Sequence, residues 1–254
     1  MNETYEFKEG HLVIQDPELG IDIHSSYSPR MIPNDFSELP EMVMKKDEKG
    51  MVLRAFFQVD GKFDGQYLLY YLDGTIETEC YYQKGELHGP SRFFSESGIC
   101  LSESWYFNGK KEGKVTRRFL SGKMASIQRY KKGLLHGKQE FYYDNGALKT
   151  MMDYKGGALD GEVILYWPSG LKKREIYFQR GLRSGYDRMW NAGGTLIDEG
   201  EYEHGDPIGL HRRFFDDGAP LEERRYYTPL KYDLKKWDIN GKTHSEKNEE
   251  SHED

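Results

Sequence analysis

The sequence predicts an all-β protein: an elongated, single-layer antiparallel sheet of tandem β-hairpins with a 24-residue period, seven full units and partial units at the ends. Three observations carry that expectation. Glycine is over-represented, at 28 of 254 residues, against only 9 prolines. Most of those glycines fall into three columns of fixed period. The apolar content is low, at 37%, and leans on aromatic residues, with 19 Tyr, 13 Phe and 4 Trp, which suits a thin sheet better than an oily bundle.

The first column runs Gly61, Gly85, Gly109, Gly133, Gly157, Gly181 and Gly205. The second runs Gly65, Gly89, Gly113, Gly137, Gly161, Gly185 and Gly209. The third runs Gly74, Gly98, Gly122, Gly146, Gly170, Gly194 and Gly218, and Gly50 extends it one period upstream. Residues around the third column read Leu-Asp-Gly, Asp-Asn-Gly or Pro-Ser-Gly, the chemistry of a tight hairpin turn that needs positive φ. Strand one of each unit is expected after the second glycine, as in residues 66–72, and strand two after the turn, as in residues 75–83. The Gly-x-x-x-Gly segment between units then reverses the chain again. Helix is a poor rival, since glycine costs about 1 kcal/mol relative to Ala inside one and no period of 3.6 links the apolar positions. A parallel β-helix is second, because Asp-Gly and Asn-Gly turns between short aromatic strands favour antiparallel pairing. With strands about 4.8 Å apart, seven two-stranded units would span roughly 70 Å.

Two aromatic columns accompany the glycines. One holds Tyr82, Tyr106, Tyr130, Tyr154, Phe178, Tyr202 and Tyr226; the other holds Tyr70, Phe94, Tyr142, Tyr166, Trp190 and Phe214, with Arg118 as its departure. The second set supplies the candidate interaction aromatics, since rings offer large contact area with little side-chain entropy to lose. A two-residue turn would place the columns on opposite faces; a three-residue turn with a bulge would place them together.

The unit Gly-x-x-x-Gly, aromatic residues, Asn/Asp/Ser-Gly, Glu, Tyr-x-x-Gly resembles the MORN-repeat variant of bacterial YwqK-type proteins, with residues 137–146 the clearest match. The resemblance covers residues 43–245. It implies a non-enzymatic scaffold for protein–protein interaction, or an antitoxin-like partner protein, and brings no catalytic residue with it. Pro229 stands where an eighth first-column glycine is due, and the motif resumes at Asn240 and Gly241; an irregular capping hairpin is expected there.

Three segments follow: a non-repeat cap or arm over residues 1–42, the array over 43–245, and an acidic tail over 246–254 expected to be disordered. Residues 1–42 contain the apolar run Leu12, Val13, Ile14 and a proline-punctuated stretch from Pro29 to Pro40, and are expected to cap the open edge of the first hairpin. They carry nine acids and two bases, whereas the array is slightly basic, with 33 bases and 29 acids. The overall formal charge is −7, which disfavours nucleic acid as a partner. Cys80 and Cys100 are too few for a disulfide framework and read as small buried hydrophobes in a reducing compartment. The acidic N-terminus and the absence of a long apolar run point to a cytoplasmic protein, with export by a non-cleaved signal left open.

Repetition also tests for chemistry. His88 and His136 share one column with Glu112 and Asp160, two units apart and so about 20 Å from each other, too far to share a metal; they are expected to be polar and loop-facing. The Glu79, Glu103, Glu175, Glu199 and Glu223 column steps by about 10 Å, beyond glycosidase spacing, and reads as a solvated ladder opposite Lys and Arg. No nucleophile elbow, phosphate loop or dinucleotide fingerprint occurs. No enzyme, cofactor, metal or small-molecule substrate is therefore expected. The late bases Arg212, Arg213, Arg224, Arg225, Lys231, Lys235 and Lys236 have two readings: a surface balanced by Asp216, Asp217, Glu222 and Glu223, or, as the alternative function, peripheral binding to an anionic membrane.

Overall fold

The computed structural model describes residues 3–8, 11–37 and 39–248, with the side chains of 246–248 excluded. Every regular element among these residues is a strand. The chain divides into two compact units, residues 1–137 and 138–254.

Unit 1 begins with three strands, β1 (Thr4–Lys8), β2 (His11–Asp16) and β3 (Ile21–Ser25), which form a small antiparallel sheet of their own. The array follows as β4 (Met42–Lys46), β5 (Val52–Val59), β6 (Lys62–Tyr70), β7 (Ile76–Gln83), β8 (Glu86–Phe94), β9 (Cys100–Phe107), β10 (Lys110–Lys111), β11 (Gly113–Arg118), β12 (Met124–Lys131) and β13 (Leu134–Leu135). Unit 2 continues the same plan: β14 (Gly137–Tyr142), β15 (Leu148–Lys155), β16 (Ala158–Tyr166), β17 (Lys172–Gln179), β18 (Leu182–Trp190), β19 (Leu196–Glu203), β20 (Asp206–Phe214), β21 (Pro220–Tyr226), β22 (Tyr232–Trp237) and β23 (Thr243–Asn248). Successive strands pair antiparallel, except that β10–β11 and β13–β14 are each one strand interrupted at a single residue and pair with β9 and with β12; β4 pairs with β5, and β23 with β22. The expected capping hairpin is β22–β23, which uses the same turn as the regular units: Asp238 N–H donates to Lys242 O and Gly241 N–H to Asp238 O, both at 2.9 Å. The tail expected from residue 246 begins inside β23, and residues 249–254 lie outside the described residues.

Two turn types alternate. Within a unit, Tyr71 N–H donates to Thr75 O at 2.9 Å and Gly74 N–H to Tyr71 O at 3.0 Å, with Gly74 at φ +86°. That is a three-residue loop closed by a left-handed glycine, and Asp73 Oδ1 caps it by accepting Thr75 N–H at 2.9 Å. Between units, Lys84 at φ +52° and Gly85 at φ +91° form a two-residue loop joining the paired Gln83 and Glu86. Both central residues lie at positive φ, the type I′ geometry that matches strand twist. The reversal therefore sits on the first glycine column. Strand one starts immediately after it and carries the second column inside it, as β6 shows with Gly65, four residues earlier than the composition suggested. Each inter-unit turn is tied to the one before it: Gly85 N–H donates to Phe63 O at 2.8 Å and Gly109 N–H to Leu87 O at 2.9 Å.

The bulge decides which face each column occupies. The three-residue loop alone would set Tyr70 and Tyr82 on one side. The register shifts between Leu69 and Tyr70, however, so Tyr70 pairs with Ile76 while Leu69 pairs with Thr78 and Gly65 with Tyr82. Glu77 is the extra residue, and it moves the Tyr82 column to the opposite face. We call the face bearing Gln66, Leu68, Tyr70, Glu79 and Tyr81 the outer face. The inner face bears Tyr67, Cys80 and Tyr82, with Tyr82 packed on Phe63 and Tyr67 at ring-centroid distances of 5.1 and 6.2 Å. Cys80 is buried and its thiol pKa is pushed up to about 11 by burial; Cys100 is half-buried, and neither is in a disulfide.

In unit 1 the small sheet adds a second layer over the outer face. Residues 1–42 were expected to close the edge of the first hairpin; instead β1–β3 and the segment through Phe36 lie across the face of the repeats. One apolar cluster joins Leu12, Ile14, Leu19 and Ile21 to Trp105, and another joins Ile32 to Ala55, Phe57 and Leu68. Apolar residues of the non-repeat segment need a surface to cover, and the buried rings of the array provide one.

Candidate functional site

The outer face of unit 1 shows what this surface does when something lies on it. Phe7 packs on Tyr81 with ring centroids 4.6 Å apart, and Tyr5 packs on Trp105 at 5.7 Å. The second glycine column makes room for them. A Cβ built on Gly89 would meet the Phe7 ring at 3.2 Å, one on Gly113 would meet Tyr5 Oη at 2.7 Å, and one on Gly137 would meet Leu19 Cδ2 at 2.6 Å. Polar contacts complete the seal. Gln66 N–H donates to Arg30 O at 2.8 Å, Ile32 N–H to Gln66 Oε1 at 2.9 Å, Lys131 Nζ to Leu19 O at 2.7 Å, and Tyr27 Oη to Tyr82 O. Arg30 pairs with Asp64 at 3.2 Å and Lys114 with Glu3 at 3.1 Å.

Within the His88 column, His88 itself belongs to this interface, whereas Glu112 faces an inter-unit turn, as expected of a loop-facing polar residue. His88 is 1% exposed and Glu112 5%, because Ser25 Oγ lies 3.2 Å from His88 Nε2 while Tyr27 and Phe107 flank its ring at 5.3 and 5.2 Å. Burial holds the His88 pKa below its ordinary value, opposed by the Asn108 side chain. The carboxylates of the column cap the inter-unit turns: Asp64 Oδ2 accepts Lys84 N–H at 3.0 Å and Glu112 Oε1 accepts Lys132 N–H at 2.8 Å. Burial still pushes the Glu112 pKa up despite that bond. The Glu ladder forms as expected, with Arg92 bridging Glu79 at 3.1 Å and Glu103 at 2.7 Å.

Four repeats later the same positions are bare. Tyr177 occupies the Tyr81 position and is 46% exposed; Tyr186 occupies the Pro90 position and is 53% exposed; Leu182 beside them is 50% exposed. Their counterparts Tyr81 and Pro90 are 5% and under 2% exposed. Directly across the strands, Glu162 faces Tyr177 and Glu201 faces Tyr186. Away from the hairpin turns, the outer-face pairs Glu162–Tyr177, Ile164–Glu175, Tyr186–Glu201, Arg188–Glu199, Leu210–Arg225 and Arg212–Glu223 carry five acids and three bases. Arg188 and Arg212 both reach Glu199, at 3.9 and 3.5 Å. Among the described residues, Glu162 and Glu201 have no ion-pair partner. Between β18, β19 and β20 the surface sinks into a groove of about 300 Å³ lined by Tyr186, Arg188, Glu199, Gly200, Glu201, Leu210 and Arg212.

The aromatics singled out from sequence occupy a different place. Tyr70, Phe94, Tyr142, Tyr166, Trp190 and Phe214 are all half-buried beside the hairpin turns. Several lend their carbonyls to a ladder between repeats: Tyr71 Oη donates to Phe94 O at 2.7 Å, Tyr143 Oη to Tyr166 O at 2.9 Å, and Trp167 Nε1 to Trp190 O at 3.2 Å. The exposed rings Tyr177 and Tyr186 were missed because their columns are not uniformly aromatic. The late bases are largely engaged. Arg213 lies 3.4 Å from Asp198 and Arg224 2.9 Å from Glu222.

On the inner face of unit 2, His211 sits between Tyr202 and Tyr226 at ring-centroid distances of 5.0 and 4.8 Å, with Nε2 2.8 Å from Glu201 O. Gly200 makes the site possible, since a Cβ there would meet His211 Cγ at 2.7 Å. Among the described residues no three metal-ligating side chains converge, and no helix is long and apolar enough to cross a membrane.

Two stretches, residues 63–84 and 135–155, match the family model described as MORN repeat variant. No curated protein matches the chain. Among solved structures, a chain of the Tc holotoxin pore of Photorhabdus luminescens aligns at 13% identity over 79% of this chain and 14% of its own length, with a TM-score of 0.16. At that score the likeness bears on neither fold nor function. The two matched stretches are MORN-variant repeats, and the rest of the array repeats their 24-residue period.

Proposed function

We propose that the chain is a non-enzymatic repeat scaffold that works in the reducing cytoplasm by holding a protein partner. MORN repeats are generally associated with protein or membrane binding, and one observation supports the protein reading here. The outer face, which the chain itself covers in unit 1, presents Tyr177, Leu182 and Tyr186 to solvent in unit 2. Exposed rings flanked by polar groups are the composition of a protein interface. Neutralisation of a toxic partner is a narrower form of this reading, motivated by the family resemblance. Attachment to anionic lipid draws less support, because Arg212, Arg213, Arg224 and Lys236 each have a carboxylate within 4.0 Å, which leaves little free charge for a membrane. Affinity capture of the full chain with quantitative mass spectrometry is the test, run beside sedimentation with anionic vesicles. A stoichiometric protein partner supports the scaffold; recovery of the chain alone together with salt-sensitive vesicle binding would replace it with the lipid reading.

A further inference from the structure

Unit 1 supplies a template for what the outer face accepts. Its occupant is extended β structure, and two rings of β1 spaced two residues apart, Tyr5 and Phe7, stand on successive glycines of the second column, Gly113 and Gly89. The equivalent glycines of unit 2, Gly185 and Gly209, have the same left-handed backbone, at φ +82° and +64°, and a Cβ there would meet nothing closer than 3.8 and 4.0 Å. The standing room is present and unfilled.

Charge selects the occupant. In unit 1 the acidic Asp64 receives Arg30 and the basic Lys114 receives Glu3, so cover and face are matched group by group. In unit 2 each exposed tyrosine has a carboxylate opposite it, Glu162 for Tyr177 and Glu201 for Tyr186, and neither carboxylate is paired among the described residues. A second copy of residues 3–37 does not suit this face. That segment carries seven acids against two bases and would meet like charge.

We propose that the outer face of unit 2, centred on the groove between β18 and β20, binds an extended, positively charged segment of a protein partner. That segment places aromatic or aliphatic side chains two residues apart over Gly185 and Gly209, and Lys or Arg beside Glu162 and Glu201. The inference rests on the scaffold reading and assigns it a surface and a partner chemistry.

The test is selection of random peptides of about 16 residues, displayed on phage, against the full-length chain. Two double variants serve as counter-baits: Tyr177→Ser with Tyr186→Ser, and Glu162→Lys with Glu201→Lys. These side chains are solvent-facing, and circular dichroism checks that each variant keeps its sheet. Enriched peptides are expected to be basic, with apolar residues at i and i+2. They should bind each double variant about tenfold more weakly or worse and lose affinity as salt rises. Acidic or uncharged winners, or winners that bind both variants undiminished, overturn the inference and leave the scaffold reading standing with another surface. No enrichment on any bait counts against both. A concentration-dependent dimer in sedimentation equilibrium that the tyrosine variant abolishes would overturn it in favour of a second copy.

Discussion

Gly113→Ala and Gly209→Ala form a matched pair that isolates the contact between the N-terminal sheet and the repeats. The two residues occupy the same column four units apart and have nearly the same backbone, φ +68° and +64°. Placing Ala in the left-handed region costs about 1–2 kcal/mol at either site. At Gly209 the new methyl touches nothing nearer than 4.0 Å, so that strain is the whole effect. At Gly113 it meets Tyr5 Oη at 2.7 Å, and the ring must move off Trp105. Tyr5 Oη also bonds Asp16 Oδ2 at 2.9 Å, and Asp16 is fully buried. Overpacking of this kind adds about 1–3 kcal/mol, and a stranded buried acceptor adds a similar amount. Gly113→Ala should therefore cost about 2–6 kcal/mol more than Gly209→Ala in urea unfolding followed by circular dichroism. Amide exchange in β1–β3 should accelerate only in Gly113→Ala. Equal destabilisation, or unchanged exchange in residues 4–25, would refute the claim that the N-terminal sheet presses on this face.

Tyr143→Phe removes the hydroxyl that bonds Tyr166 O at 2.9 Å and should lower the stability of unit 2 by about 0.5–1.5 kcal/mol, read by denaturant unfolding. Gly200→Ala should expel the His211 ring from between Tyr202 and Tyr226, visible in NMR as loss of the ring-current shifts of the His211 protons, with a stability cost of about 1–3 kcal/mol. His88 gives a pH test. Its folded-state pKa is lowered by burial, so the unfolded chain binds the proton more readily. The stability this group allows is complete above its ordinary pKa, about 6.5, and declines as the pH falls below that value. Thermal melts of His88→Leu between pH 7 and pH 5 should fall less steeply than those of the parent; identical slopes would show that His88 is not the titrating group.

The repeats were legible in the sequence because their signals are local. A left-handed residue at Gly74, or the Lys84–Gly85 pair of a type I′ turn, is demanded by the backbone at that residue and so leaves glycine behind at every period. Other features left weaker traces. Glu77 and its equivalents insert one residue into each hairpin, and a bulge has no composition of its own, so the face assignment of the aromatic columns stayed open until the register was seen. The ladder donors Tyr71, Tyr143 and Trp167 do stand at a single repeat position. Their role depends on a carbonyl in the next unit, which periodicity alone does not reveal.

The candidate surface was hidden for a related reason. Tyr177 and Tyr186 hold positions that in unit 1 belong to the buried Tyr81 and Pro90, and nothing within the repeat distinguishes covered from bare. That difference comes from residues 3–37, which obey no period and find the repeats through contacts more than a hundred residues distant, such as Lys131 Nζ to Leu19 O. The sequence by itself therefore determined the strands, the turns and their 24-residue spacing, because backbone conformation is chosen locally. Only the tertiary structure decided which face carries which column and which rings stay in solvent, because register and burial depend on segments far apart in the chain.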